Sequence, residues 1–136
     1  MVQQVEFYLN TYHRGCHLIT SEIFMKLPPL PQSGMLHLFL KHTSAALTLN
    51  ENADPDVRID LNSILNKLIP ENQHFYTHTF EGPDDMPAHA KSSLLGVSLT
   101  IPISNGIVNL GTWQGIYLCE FRNGAQKRKV VATIFG

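Results

Sequence analysis

VSLTIPISNGIVNLG, residues 97 to 111, sets two alternating apolar runs on either side of Asn105-Gly106. Asn-Gly supplies the positive φ that two-residue hairpin turns require, so this stretch commits the chain to antiparallel pairing. The same period of two recurs in VEFYL at 5 to 9, in MLHLFLKH at 35 to 42 and in AALTL at 45 to 49. CHLIT at 16 to 20 is expected to return from VEFYL as a hairpin. IYLCEF at 116 to 121 and QKRKVVATIF at 126 to 135 flank a second turn at Asn123-Gly124 and predict another. Pro102 cannot donate to a ladder, so its strand is expected to be an edge or to carry a bulge.

Helical signals interrupt these strands at three places. SEIFMKL, after Thr20 or Ser21, predicts a short helix that Pro28, Pro29 and Pro31 stop. Residues 55 to 69 predict the longest helix: Asp54 caps it, Pro55 fills the first helical position, and Asp56 adds negative charge at the positive end of the dipole. Val57, Leu61, Ile64, Leu65 and Leu68 make its apolar face, and Pro70 ends it. A loop at 71 to 85 is long enough to suggest function. Asp85 is then placed to cap a third helix, MPAHAKSSLL, which Gly96 stops. His89 shares a face with Ser92 and Ser93, while Lys91 projects elsewhere. The order is two strands, a helix, two strands, two helices and about four strands, an α+β arrangement with a largely antiparallel sheet.

With 136 residues there is room for one domain, spanning 1–136. Ten Lys and Arg oppose eleven Asp and Glu, so no overall field draws in nucleic acid or an anionic membrane. No apolar run approaches the ~20 residues of a membrane helix, and the N-terminus lacks a secretory signal pattern. A cytoplasmic protein is expected. Cys16 and Cys119 have no CxxC spacing and read as ordinary reduced thiols.

Phosphate-cradling GxxxxGK[ST], dinucleotide GxGxxG, HExxH and GxSxG patterns are all absent. Seven histidines are many for this length and invite a metal reading, although their spacing specifies none. His42 at a strand end, His78 in the long loop and His89 on the third helix can share an ion only if the fold gathers those ends. Imidazole donors suit zinc, nickel, copper or iron better than magnesium. Glu120 alternates with Ile116 and Leu118, so if buried it needs a ligand or a charge partner. Trp113 fits equally a core position or a stacking platform for a flat heterocycle.

HTSAALTLNENADPDVRID at 42 to 60, HTFEGPDDMPAHAKSSLLG at 78 to 96, NLGTWQGIYLCEF at 109 to 121 and the basic C-terminal strand together resemble the YjbQ-like family, often labelled secondary thiamine-phosphate synthase. The resemblance runs from about His17 to Val131. It implies a mixed, largely antiparallel sheet folded on itself with about three helices, and a homotrimer with sites near subunit boundaries. The activity it implies joins an aminopyrimidine diphosphate to a thiazole phosphate, giving thiamine phosphate and pyrophosphate. Residue by residue, it assigns His42, His78 and His89 to a divalent metal, zinc or magnesium, with Asp85 as a further ligand. Glu51, Asp54, Gln114 and Glu120 become candidate catalytic residues. Ser44, Lys91, Trp113 and Arg128 become candidates to hold a small phosphorylated metabolite, Arg128 because a guanidinium can fork onto phosphate oxygens.

The implied reaction substitutes at a benzylic-type CH2 with a ring nitrogen as nucleophile, so it demands no general base. Pyrophosphate departs with concentrated negative charge, which a cation and fixed donors stabilise. A magnesium-pyrophosphate site should be carboxylate-rich, whereas a histidine-held ion favours water activation and hydrolysis. Three readings therefore stay open: the transferase, a metal-dependent hydrolase of a small metabolite, and a non-catalytic trimer that binds metal or a small ligand.

Overall fold

A computed structural model describes residues 1–136. The elements are β1 (Val2–Tyr8), β2 (Gly15–Leu18), α1 (Thr20–Lys26), β3 (Ser33–Leu40), β4 (Ala45–Glu51), α2 (Pro55–Leu68), α3 (Asp85–Leu95), β5 (Ser98–Ser104), β6 (Ile107–Val108), β7 (Gln114–Glu120) and β8 (Lys129–Phe135). This is the expected α+β order, with three helices. The strands divide into a five-stranded sheet, β1-β8-β3-β5-β6, and a three-stranded sheet, β2-β7-β4, and all pairings are antiparallel.

Alternation along each strand dictates the layering. Leu36, Leu38, Ile101, Val130 and Ala132 turn inward from the large sheet and meet Leu47, Ile116 and Leu118 of the small one, with Ile23 of α1 beside them. The opposite face of the small sheet presents Ala46, Tyr117 and Cys119, which α2 and α3 cover with Leu65 and Ala88. Each fully buried large side chain contributes roughly 1.5–3 kcal/mol, so these two cores hold the three layers together. No helix is long and apolar enough to cross a membrane.

The Asn105-Gly106 hairpin forms as its sequence dictates, with φ of 54° and 77° at the two turn residues and Ile103 opposite Val108. β5 lies inside the strand order, between β3 and β6, so the edge position expected for Pro102 is not found; its missing N–H falls just past the two-residue β6, where the Asn109 N–H still donates to the Pro102 carbonyl at 2.8 Å. The other two expected hairpins do not form. β1 pairs with β8, and β2 pairs with β7, because residues 9 to 14 carry the chain from one sheet to the other, burying Leu9 on the way. The Asn123-Gly124 turn likewise links different sheets: β7 lies between β2 and β4, while β8 lies between β1 and β3.

α2 begins as expected, with the Asp54 carboxylate accepting the Asp56 N–H at 2.9 Å. Its buried stripe is narrower than the sequence suggests: Leu65 is buried and Leu61 partly so, but Ile64 and Leu68 are exposed, because the small sheet is only three strands wide. α3 ends at Gly96 with φ 95°, as expected. Asp85, expected to cap α3, instead lies inside its first turn and turns its carboxylate elsewhere.

Candidate metal centre

The Asp85 carboxylate, 1% exposed, is the hub of the site. Its Oδ2 lies 2.5 Å from Nε2 of His78 and 3.2 Å from Nε2 of His89, while its Oδ1 accepts from Arg122 Nη1 at 2.5 Å. Asp85 and His89 stand one helical turn apart on α3, so they share a face by construction. His78 reaches them from the long loop, and the donor atoms of all three lie within 4.8 Å of one another. Burial by itself would raise the Asp85 pKa; the hydrogen bond with His78 and the charges of His89 and Arg122 outweigh it and hold the carboxyl below its usual range.

The His89 ring has a defined orientation. Its Nδ1 faces the carbonyl oxygen of Thr43 at 2.8 Å, and a carbonyl can only accept, so Nδ1 carries a proton. Nε2 then points at a carboxylate oxygen. It is either protonated there or, as a neutral imidazole, presents a lone pair toward negative charge, an arrangement that a cation between the two would satisfy. A ring nitrogen bonded to a backbone carbonyl is also the usual support behind a metal-ligating histidine. Two imidazoles and a carboxylate, one of the imidazoles supported in this way, fit a zinc-like divalent ion better than magnesium.

His42 stands outside this group. Its Nε2 accepts the Lys129 N–H at 2.7 Å, leaving the proton of the neutral ring on Nδ1. Burial, and then the Arg128 charge, hold it below the ordinary histidine range. It still borders the neighbourhood: with Thr43, His89, Ser92 and Ser93 it lines a cavity of about 610 Å³. On its other side, with Ser44, Arg122, Gln126 and Arg128, it lines one of about 270 Å³.

Glu120 finds a charge partner rather than an ion. At 1% exposure it accepts from Arg128 Nε at 2.7 Å and Nη2 at 2.5 Å, and Arg128 Nη2 also donates to the Ser44 hydroxyl at 2.9 Å. Arg128 Nη1 makes no protein hydrogen bond. Lys91 does not face either cavity: it is 1% exposed and donates to Asn66 Oδ1 at 2.5 Å.

The remaining candidates lie elsewhere. β4 and β7 place Glu51 opposite Gln114 at one end and Ala45 opposite Glu120 at the other. Six residues of strand, about 20 Å, separate the two ends. At the far end Glu51 accepts the N–H groups of Ala53 and Asp54, at 2.6 and 3.2 Å, Asp54 caps α2, and Gln114 accepts from Gly111 N–H at 2.8 Å. Trp113 is 65% exposed, which excludes the core position.

Arg122 was not legible as a site residue. It grips Asp84 through Nε at 2.8 Å as well as Asp85, and donates to the Glu81 carbonyl. Two adjacent aspartates ahead of an apolar helix require a cation if buried, but sequence does not say which of ten.

The sequence matches the family described as UPF0047 protein YjbQ-like over residues 5–136. It is 55% identical to UPF0047 protein YjbQ of Salmonella typhimurium over 94% of each chain, and 40% identical to UPF0047 protein YugU of Bacillus subtilis over 76% of each. Its fold superposes on the crystal structure of a conserved hypothetical protein from Thermus thermophilus with a TM-score of 0.81 at 36% identity, covering 93% of this chain and 97% of that one. A YjbQ/UPF0047 family protein from Clostridium acetobutylicum gives a TM-score of 0.81 at 39% identity, covering 96% and 99%. From the family match and these relatives, the chain belongs to the UPF0047 YjbQ-like family.

Proposed function

We propose that this protein is a metal-dependent enzyme acting on a small phosphorylated metabolite, with His78, Asp85 and His89 as the ligands of one divalent ion. The observation that carries the reading is the His89 ring: Nδ1 is committed to the Thr43 carbonyl, and Nε2 is turned onto Asp85 Oδ2 beside the His78 nitrogen. A bound divalent ion supplies Lewis acidity, offsetting negative charge on a departing phosphate or lowering the pKa of water. Arg122 aims Asp85. The Nδ1–H of His42 and the free Nη1 of Arg128 border the 270 Å³ cavity and can donate to phosphate oxygens there.

The specific reaction we propose is thiamine-phosphate formation from an aminopyrimidine diphosphate and a thiazole phosphate. Neither substrate has to be deprotonated, and the site offers donors for the leaving group without a dedicated base. A second reading, hydrolysis of a phosphate or amide-like bond, draws support from the donor set itself, because two imidazoles with one carboxylate suit zinc and water activation. A homotrimer would account for two further features. It would cover exposed Ile64, Leu68 and Trp113, and it would allow the Glu51–Gln114 end of one chain to approach the metal centre of the next.

Incubation of zinc- or magnesium-loaded protein with the two phosphorylated halves, at stoichiometric enzyme concentration, tests the reaction. Thiamine phosphate and pyrophosphate should appear in equal amounts and vanish on chelation. Hydrolysis of the diphosphate without coupling would favour the second reading, and no turnover with either metal would overturn the thiamine-phosphate reading.

A further inference from the structure

Cys16 and Cys119 lie 103 positions apart in sequence and face each other across β2 and β7. Ile19 N–H donates to Ile116 O at 2.9 Å, which makes that pair a hydrogen-bonded one. Alternation then makes Cys16 and Cys119 a non-hydrogen-bonded pair, the kind whose Cα atoms approach to about 4.5 Å. That spacing lies within the range of about 4.4–6.8 Å that a disulfide accepts. Their sulfurs are already 3.4 Å apart.

The two thiols are not equivalent. Cys16 sits on the edge strand β2 at 9% exposure, whereas Cys119 lies on the central strand β7 at 0%. The Cys119 S–H donates to the Cys16 sulfur. That hydrogen bond, with help from the charges of Arg58 and Lys91, holds the Cys16 thiol below its ordinary range against the opposing effect of burial, and the same contact pushes Cys119 up. Arg58 lies over the Tyr117 ring, and its buried Nη1 has no hydrogen-bond partner. Lys91 stands 5.6 Å from the Phe121 ring, in the layer that also buries both sulfurs. Two cations against the aromatic rings that pack with a slightly exposed thiol give it the electropositive surroundings that mark reactive cysteines.

We propose that Cys16 and Cys119 form a peroxide-responsive dithiol that closes into a reversible disulfide between β2 and β7. The Cys16 thiolate attacks one oxygen of hydrogen peroxide and the O–O bond breaks. Hydroxide leaves and takes up the proton given up by Cys16, so Cys16 becomes a sulfenic acid and one water is released. Cys119 then attacks the Cys16 sulfur, the S–O bond breaks, and the departing hydroxide takes the Cys119 proton as a second water. Two thiols are oxidised by two electrons and one peroxide is reduced. A small-molecule dithiol reverses the reaction by exchange. The closed bond would pin the edge strand that carries His17 to the strand that carries Glu120. This modification site is independent of the metal centre.

Reduced full-length protein exposed to hydrogen peroxide, under conditions that oxidise free glutathione completely, provides the test. Intact mass should fall by two hydrogen atoms per chain, no thiol should titrate after denaturation, the denatured chain should run as a single uncross-linked chain without reductant, and dithiothreitol should restore both thiols. In Cys119→Ser the sulfenic acid should persist on Cys16 and be captured by dimedone; in Cys16→Ser, Cys119 should stay unlabelled. Two thiols still titrating in the wild-type protein, oxygen added irreversibly at Cys16, or chains cross-linked to one another would each overturn the proposal. The wild-type reading stands whether or not either variant folds.

Discussion

Arg122 Nη1 donates to one oxygen of Asp85 while His78 and His89 crowd onto the other, so a single buried carboxylate is aimed from both sides. Arg122 grips Asp84 as well, and removing it takes the arginine charge from two buried carboxylates, leaving Asp85 its two imidazoles and Asp84 the Asn123 N–H. Arg122→Ala should lower stability by about 3 kcal/mol, the lower end expected for breaking a buried pair because the Arg122 side chain keeps some solvent contact. Arg122→Lys should recover only part of that, since an ammonium cannot fork onto both aspartates. Urea unfolding curves measure both variants.

Glu120 and Arg128 form the second buried pair. Glu120→Gln should destabilise by about 3 kcal/mol or more, because it leaves the Arg128 guanidinium buried without a counter-charge. The double variant Glu120→Leu, Arg128→Met should recover most of that loss, as apolar replacement of both partners removes the stranded charge, but fall short of the wild-type midpoint because the Arg122 N–H loses its Glu120 acceptor. An equally damaged double variant would mean that the pair does more than neutralise itself.

Acid should destabilise the fold through His42 and His17. Both rings are held below the ordinary value of 6.5, first of all by burial. As pH falls through 6.5 the unfolded chain therefore takes up protons before the folded one, and the stability these rings contribute, complete above 6.5, is lost below it. For His42 the cause is concrete: a proton on Nε2 removes the acceptor of the Lys129 N–H. His42→Gln keeps an acceptor that does not titrate, so its stability should fall less steeply than that of wild type as pH drops below 6.5.

Lys91 predicts the alkaline limb. Burial, with the nearby Arg14 charge, brings its ammonium from 10.5 down to about 8. Above 10.5 the side chain is neutral in both states, and below about 8 it is charged in both, with the folded state bearing the cost of burial. Stability should thus rise between pH 8 and 10.5 in wild type. Lys91→Met should lack this rise and be more stable near neutrality by about 1–2 kcal/mol. Asn66 Oδ1 keeps a donor in the variant, because Arg14 Nη2 already reaches it at 3.0 Å.

What could be read from the sequence was local. The Asp54-Pro55 start of α2, the stop at Gly96 and the Asn105-Gly106 turn each rest on backbone chemistry within a few residues, and each forms as read. Strand partners do not: β1 with β8 joins opposite ends of the chain, and nothing local distinguishes Asn123-Gly124 joining two sheets from Asn105-Gly106 joining two strands. The same limit governs the site. Asp85 and His89 share a helix face by spacing, but His42 depended on where its strand end would point, and Arg122 on the β7–β8 connection meeting the start of α3. Cys16 and Cys119, distant in sequence with no motif between them, became neighbours only through the β2–β7 register.

Metal content decides the central claim most directly. Protein purified without a metal-binding tag, then loaded with zinc and freed of excess, should retain one ion per chain by elemental analysis. Asp85→Asn and His89→Ala should lose it, while His42→Ala should keep it. No retained ion in the wild-type protein, or an ion lost only when His42 is removed, would contradict the assignment of His78, Asp85 and His89 as its ligands.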